Sequence, residues 1–340
     1  MRRHWSESTT RKAPCSHTML IALFSLCTVA SAQLGKDWTQ ATSATAWSGR
    51  VAHSSVSYGG RIWLIGGQGS NAAEEVWYTS DGTNWNLATR QPSWRYAIGA
   101  SLVVFSGKMW LIGGRRPLPA NDVWCSVDGL IWTTATLHAQ WSPRYDQTSV
   151  VYNGKMWVLG GTYADANGSR AFRDAWFSTD GVKWTSATLS APWASPHSSV
   201  VYNNRIWVIC SEGVWNSSDG TSWTLARKGP LPWDNPPYLY IVGREAVVCD
   251  GKIWVMGGET IMTTIGQSDV WYTTDGKAWT RATPSAGWTG RVGHAVVVFD
   301  RKIWVLGGFA PGWKGTQGRL LNDVWYSAMP TPSRHWRLYP

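Results

Sequence analysis

Two four-residue stretches, Arg50-Val51-Ala52-His53 and Arg291-Val292-Gly293-His294, place an imidazole three positions after a guanidinium. An arginine presents a planar fork of donors that fits a carboxylate. A histidine titrates near neutrality and is a common metal ligand. Arg144 and His197 each keep half of the pair, and Arg244 stands without a histidine. Arg50, Arg144, Arg244 and Arg291 are therefore candidates to face an acidic ligand or peptide, with His53, His197 and His294 beside them. The competing expectation is that these groups hydrogen-bond neighbouring loops. Trp313 is a further candidate: it either stacks on a ligand such as a sugar ring or pins its own loop. Glu245 directly follows Arg244, and Asp146 lies two residues after Arg144. Adjacent strand residues point to opposite sheet faces, so neither combination is an obvious acid–base couple.

A repeat positions these residues. Trp63, Trp110, Trp157, Trp207, Trp254 and Trp304 each sit in a run of the type KIWVLGG, at spacings of 47 or 50 residues. A fixed period of this size marks a repeat architecture. Each unit opens on a tryptophan (Trp47, Trp94, Trp141, Trp193, Trp233 or Trp288). It continues through an apolar run, a tight turn, the KIWVLGG-type run, a variable link, a DVW-type run, Asp-Gly and a WTxAT-type run. Val, Ile, Trp and Thr suit a pleated, half-buried surface. Asp81-Gly82 and its four equivalents are hairpin signals. Each unit thus predicts four short antiparallel strands, a to d. Counted back from the strand-b tryptophan, Arg50, Arg144 and Arg291 stand thirteen residues before it. His53, His197, Arg244 and His294 stand ten before it, near the start of strand a.

A double glycine after an apolar strand, followed by an aromatic and then a second tryptophan eight residues on, resembles the kelch repeat. The resemblance covers roughly residues 33 to 327. It implies an all-β, six-bladed β-propeller of kelch type, in which an R-x-x-H pair at the start of strand a is a habit of the repeat. The sixth unit ends at NDVWYSAMP without its own Asp-Gly and WTxAT run. The stretch LGKDWTQAT (34–42) supplies it, with Gly35 aligned on Gly82 and Trp38 on Trp85. The N-terminal strand is therefore expected to complete the last blade and hide the sheet edges. The tryptophans themselves are expected to pack blade on blade.

In such a blade the a-to-b and c-to-d turns share one end. That end carries the basic ring Arg61, Lys108, Lys155, Arg205, Lys252 and Lys302 together with the turn aspartates, and this mixture of signs argues against a nucleic-acid groove. The d-to-a and b-to-c links share the other end, where the variation lies: 162–173, 259–268, 309–322, and the enlarged link 233–244 with Tyr238. Binding residues usually sit on such links. The copper-radical oxidases, of which galactose oxidase is the example, also show kelch blades. The resemblance would require a tyrosine directly preceding a histidine, and no such pair occurs. The N-acetylneuraminate mutarotases resemble the chain in architecture, but no motif of theirs transfers residue by residue. No nucleophile elbow, paired-histidine helix or phosphate-binding glycine loop is present, so no cofactor or metal is expected.

Residues 1–32 read as a cleaved signal peptide. They hold a basic start, an apolar stretch from Met19 to Val29 and a small-x-small site at Ala30-Ser31-Ala32. Residues 33–327 are then the propeller and 328–340 a C-terminal tail. The product is expected to be secreted or periplasmic, monomeric and not inserted in a membrane. Cys125, Cys210 and Cys249 remain, too few for a disulfide framework, and free buried thiols are expected. Asn167 and Asn216 begin glycosylation triplets. The expected function is a binding module for a carbohydrate or protein ligand on the face of d-to-a and b-to-c links. The alternative is a carbohydrate enzyme of sialic-acid mutarotase-like epimerase or metal-dependent oxidase kind.

Overall fold

The computed structural model describes Met1 and residues 33–70, 72–90, 92–94, 97–115, 118–193, 198–234, 241–260, 263, 265–312 and 317–330. Among these, six four-stranded antiparallel sheets form a ring of blades. Blade one runs Ser54–Tyr58, Arg61–Ile65, Val76–Thr79 and Asn86–Thr89 from axis to rim. The innermost strands of the others are Ser101–Phe105, Thr148–Tyr152, Ser198–Tyr202, Glu245–Cys249 and Ala295–Phe299. Each innermost strand neighbours those of the two adjoining blades, which closes an inner circle. Strand b is buried at four of its five positions in blade one and almost throughout elsewhere. Strand a is mostly half-buried because it lines the axis.

Blade six combines Ala295–Phe299, Lys302–Ala310 and Arg319–Ala328 with Thr39–Thr42 from the other end of the propeller. Thr39 pairs with Tyr326 and Thr42 with Val324. The hairpin chemistry of the other blades is reassembled from two pieces. In blade one the Gly82 amide donates to Thr79 Oγ1 at 2.9 Å, while the Thr83 and Asn84 amides donate to Asp81 Oδ1. In blade six the Gly35 amide donates to Ser327 Oγ at 2.7 Å, across 292 residues.

One contact recurs at every blade boundary. Gly35, Gly82, Gly129, Gly181, Gly220 and Gly276 all have positive φ, between 70° and 78°. A Cβ on any of them would overlap the indole of Trp254, Trp304, Trp63, Trp110, Trp157 or Trp207, respectively. Each of these indoles is the strand-b tryptophan of the preceding blade. Its Nε1 donates to the carbonyl that ends its own strand a, as Trp63 does to Tyr58 O at 3.1 Å. The d-strand and opening tryptophans of each blade meet edge to face, Trp38 on Trp288 at 5.9 Å and Trp85 on Trp47 at 5.7 Å.

The links differ from plain loops. Residues 162–173 contain a hairpin of Thr162–Asp165 with Gly168–Ala171. In 309–322, strands b and c run on as a ribbon that pairs Ala310 with Arg319. Glu259–Thr260 pairs with Ile241–Val242, stitching two links of blade five together. In the basic ring, Arg61 lies 4.4 Å over the Tyr78 ring and Lys155 4.0 Å over Phe177. Cys125, Cys210 and Cys249 are free and buried, and burial pushes the Cys210 and Cys249 thiols up to about 11.

Removing residues 33–42 strips strand d from blade six and leaves the outer edge of Arg319–Ala328 bare. The truncated protein is expected to melt at least ~5 °C lower and to aggregate on heating. Differential scanning calorimetry of both forms checks this, and an unchanged melting temperature would contradict it.

Candidate functional site

The start of strand a bends sharply at the axis. Eleven residues before the strand-b tryptophan stand Ala52, Gly99, Asp146, Gly243 and Gly293, all with φ between 53° and 65°. Their backbones link neighbouring blades. The Ala52 amide donates to Gly293 O, Gly99 to Ala52 O and Asp146 to Gly99 O, at 2.8–2.9 Å. Glycine suits a left-handed bend, and aspartate tolerates it better than most residues. A Cβ at Gly99 would overlap Asp146 Oδ1, so the glycine of blade two makes room for the carboxylate of blade three.

These bends and the first residues of each strand a enclose an axial cavity of about 520 Å³. It opens among the d-to-a and b-to-c links. Its wall carries the carboxylates Asp146 and Glu245 and the hydroxyls of Ser54, Ser101, Thr148, Ser149, Ser198 and Ser199. Glu245 occupies the ring position held elsewhere by Ser54, Ser101, Thr148 and Ser198. Ser101 Oγ and Ser149 Oγ share a hydrogen bond at 2.6 Å, and Ser198 Oγ accepts the Ala246 amide at 3.0 Å. Asp146 is reachable by water, yet it sits within the cavity walls. That enclosure pushes its carboxyl up to about 6, against the pull of Arg115. Burial, with the charge of Asp146 adding to it, pushes Glu245 up to about 8. Two acids of unequal proton affinity thus share the cavity, and the charge of Asp146 reaches Glu245 across the axis.

The four arginines read from the sequence as facing an acidic ligand do not do so, and that expectation is corrected. Arg50, Arg144, Arg244 and Arg291 are at most 3% exposed. Their ion-pair partners are Glu75, Asp174, Asp269 and Asp323, at 2.6–2.7 Å. Arg144 and Arg291 make both arms of a bidentate pair. Arg50, Arg144 and Arg291 also donate to Gly66 O, Gly160 O and Gly307 O, the first carbonyl of each double glycine. The same carboxylates accept the strand-c indole N–H of Trp77, Trp176, Trp271 and Trp325. These forks clamp the bend between strands b and c inside blades one, three and six.

His53 Nε2 is 3.1 Å from Leu306 O of the adjoining blade. Gln147, its equivalent in blade three, donates in the same way to Ile112 O at 2.7 Å. Burial, then the charge of Arg50, holds His53 down to about 3. Burial and the charges of Arg291, His53 and Arg244 hold His294 well below its ordinary value. Both imidazoles are neutral and border the cavity. His197, Trp313 and Tyr238 lie outside the described residues. Among the described residues no group of three His, Cys, Asp or Glu side chains is placed to hold a metal ion.

The repeat hides the carboxylates that matter. The acids before the strand-c tryptophans form a visible E/D-x-W pattern, which marks the partners of the arginines. Asp146 and Glu245 are the opposite signal: departures from the repeat at ring positions that are otherwise glycine, alanine, proline or hydroxyl.

The ring of six blades, the double-glycine bends and the strand order define a six-bladed β-propeller of kelch type. The Kelch motif model matches residues 290–326, and the model of the DUF6242 β-propeller domain matches residues 126–235. The solved structure of YjhT aligns with a TM-score of 0.65 at 13% identity, over 83% of this chain and 96% of that one. No curated protein matches the sequence.

Arg144→Ala leaves Asp174 charged, buried and unpaired, and is expected to cost about 3–5 kcal/mol in urea unfolding. The effect of Glu245 has the opposite sign. Its folded-state value of about 8 lies above the ordinary 4.5, so stability falls as pH rises through that window. Melting curves from pH 5 to 9 should show the fall in the wild type and a flatter profile in Glu245→Gln. The variant is expected to be more stable at pH 9 by about 1–3 kcal/mol, and parallel profiles would contradict it.

Proposed function

We propose that the protein is an exported kelch-type propeller that binds a carbohydrate in the axial cavity on the d-to-a and b-to-c face. The observation that carries this reading is the chemistry of the wall. Ligand sites of a few hundred Å³ are usually lined mainly by apolar and aromatic groups. This cavity instead presents hydroxyls, two carboxylates and the Gln147 amide. Such a wall suits a ligand that is itself rich in donors and acceptors. Among the described residues the tryptophans pack between strands and blades, and none lines the cavity. An enclosed axial space also fits a small ligand better than the face of a protein.

A glycan array and calorimetry on residues 33–340 test the reading. Asp146→Asn and Ser149→Val are expected to weaken the best ligand at least ~10-fold, or about 1.4 kcal/mol, with the melting temperature retained. Unchanged affinity in both variants would refute the cavity as the site. Export is tested separately: N-terminal sequencing of the secreted product should read from Gln33, and an intact Met1 start would refute cleavage.

The carboxylate pair favours a second reading, acid–base catalysis on the bound sugar. In that case one carboxyl delivers a proton while the other, ionised, removes one. Asp146→Asn would then abolish turnover of the bound sugar, followed by NMR of its anomers, more than it weakens binding. Catalytically silent wild-type protein with intact binding would remove this reading.

A further inference from the structure

We propose that the axial cavity selects a sugar bearing a free protonated amine, held by Asp146 and Glu245, over its neutral or anionic counterparts. The inference rests on the carbohydrate reading above and narrows its ligand class.

The first ground is the charge of the wall. Among the described residues Asp146 and Glu245 are its only ionisable acids, and no lysine or arginine lines it. The nearest guanidiniums are already matched. Arg50, Arg144, Arg244 and Arg291 each hold a carboxylate of their own blade. Arg115, which acts on Asp146 from the blade-two link, lies 5.5 Å over the Tyr145 ring. His53 and His294 are neutral and add no positive charge. An anionic ligand would therefore meet the negative charge of Asp146, which Arg115 offsets in part, and would oppose ionisation of Glu245, while a cation would favour both acids in their charged form.

The second ground is the balance of acceptors and donors. Neither Asp146 nor Glu245 side chain receives a hydrogen bond from a described residue. Gln147 is 4% exposed and lines the same cavity. Its Nε2 is engaged by Ile112 O and Ser101 Oγ, while its Oε1 has no partner. Asp146 is an acceptor in want of a donor, and Glu245 becomes one when a cation beside it draws off its proton. An ammonium group supplies three donors and no acceptor. The serine and threonine hydroxyls that line the cavity are able to serve the sugar hydroxyls in either direction.

The third ground is that the arrangement is built in at a cost. Asp146 stands in a left-handed bend where three other blades place glycine, and Gly99 is cleared for its carboxylate. Two enclosed acids near one axis oppose folding once ionised. A cationic ligand is the partner that would recover this cost.

The test compares glucosamine, galactosamine and mannosamine with their N-acetyl and parent hydroxyl forms at pH 6.5, by calorimetry on residues 33–340. At least one free-amine sugar is expected to bind ~10-fold or more tightly than both of its counterparts. Asp146→Asn and Glu245→Gln should each reduce that preference to within ~3-fold, without a fall in melting temperature. Equal binding of an amine and its counterparts, or tighter binding of an N-acetyl form, would overturn the amine inference and leave the carbohydrate reading intact. Preference undiminished in both variants would also overturn it. Absence of binding by every sugar, here and on the array, would overturn both.

Discussion

A glycine that meets an indole at each blade boundary is the constraint on which this ring depends. The hairpin glycine has two independent reasons to lack a side chain: its positive φ and the tryptophan ring against it. The indole is itself fixed by a hydrogen bond to its own strand a. Each blade is thereby seated on the previous one through a rigid flat surface. Five of these glycines lie within complete repeats. The sixth, Gly35, must come from the N-terminal segment, because blade six ends at Ala328 without one. Pairing of Thr39–Thr42 with Arg319–Ala328 and the seating of Gly35 on Trp254 are therefore parts of one closure.

Within four of the six blades the equivalent role falls to an arginine–carboxylate clamp. A double glycine after strand b leaves a carbonyl at a sharp bend. The guanidinium of Arg50, Arg144 or Arg291 satisfies that carbonyl and a carboxylate at the start of strand c together. Buried ion pairs of this kind contribute little to net stability, because desolvation offsets the attraction, but breaking one partner is costly. Their use here is geometric. They fix how strand b turns into the links, and so where the start of strand a sits against the axis. The same geometry keeps four positive charges out of the cavity and leaves its sign to Asp146 and Glu245.

Much of the architecture was legible in the residues because it repeats. Six KIWVLGG-type runs gave six sheets, and the missing Asp-Gly of the last unit pointed to Gly35 and Trp38. The site was less legible. Arg50 and its equivalents look like ligand contacts when read as R-x-x-H pairs. Their partners Glu75, Asp174, Asp269 and Asp323 lie 25 to 32 residues on, across a link of variable length. Strand alternation correctly separated Arg244, inside its blade, from Glu245, on the cavity wall. It could not bring Asp146 of blade three and Glu245 of blade five toward one another, because that proximity comes from ring closure and not from spacing along a strand. The variable links are not plain loops: 162–173 and 309–322 hold strand pairs of their own, and 233–244 pairs with 259–268.

Where a repeat is broken, stability has usually been exchanged for something else. Glu245 replaces a serine-type residue on a strand otherwise built like its neighbours, and Asp146 replaces a glycine-type residue at a bend. Neither change improves packing, and both place an acid where ionisation is opposed by the surrounding protein. Neither acid is matched by an arginine of its own blade, although the fold supplies such a match four times elsewhere. A scaffold that pairs its structural acids so consistently, and leaves these two facing a shared cavity, separates acids that hold the blades from acids available to a ligand. That separation, rather than the presence of charge alone, is the argument for locating function at the axis.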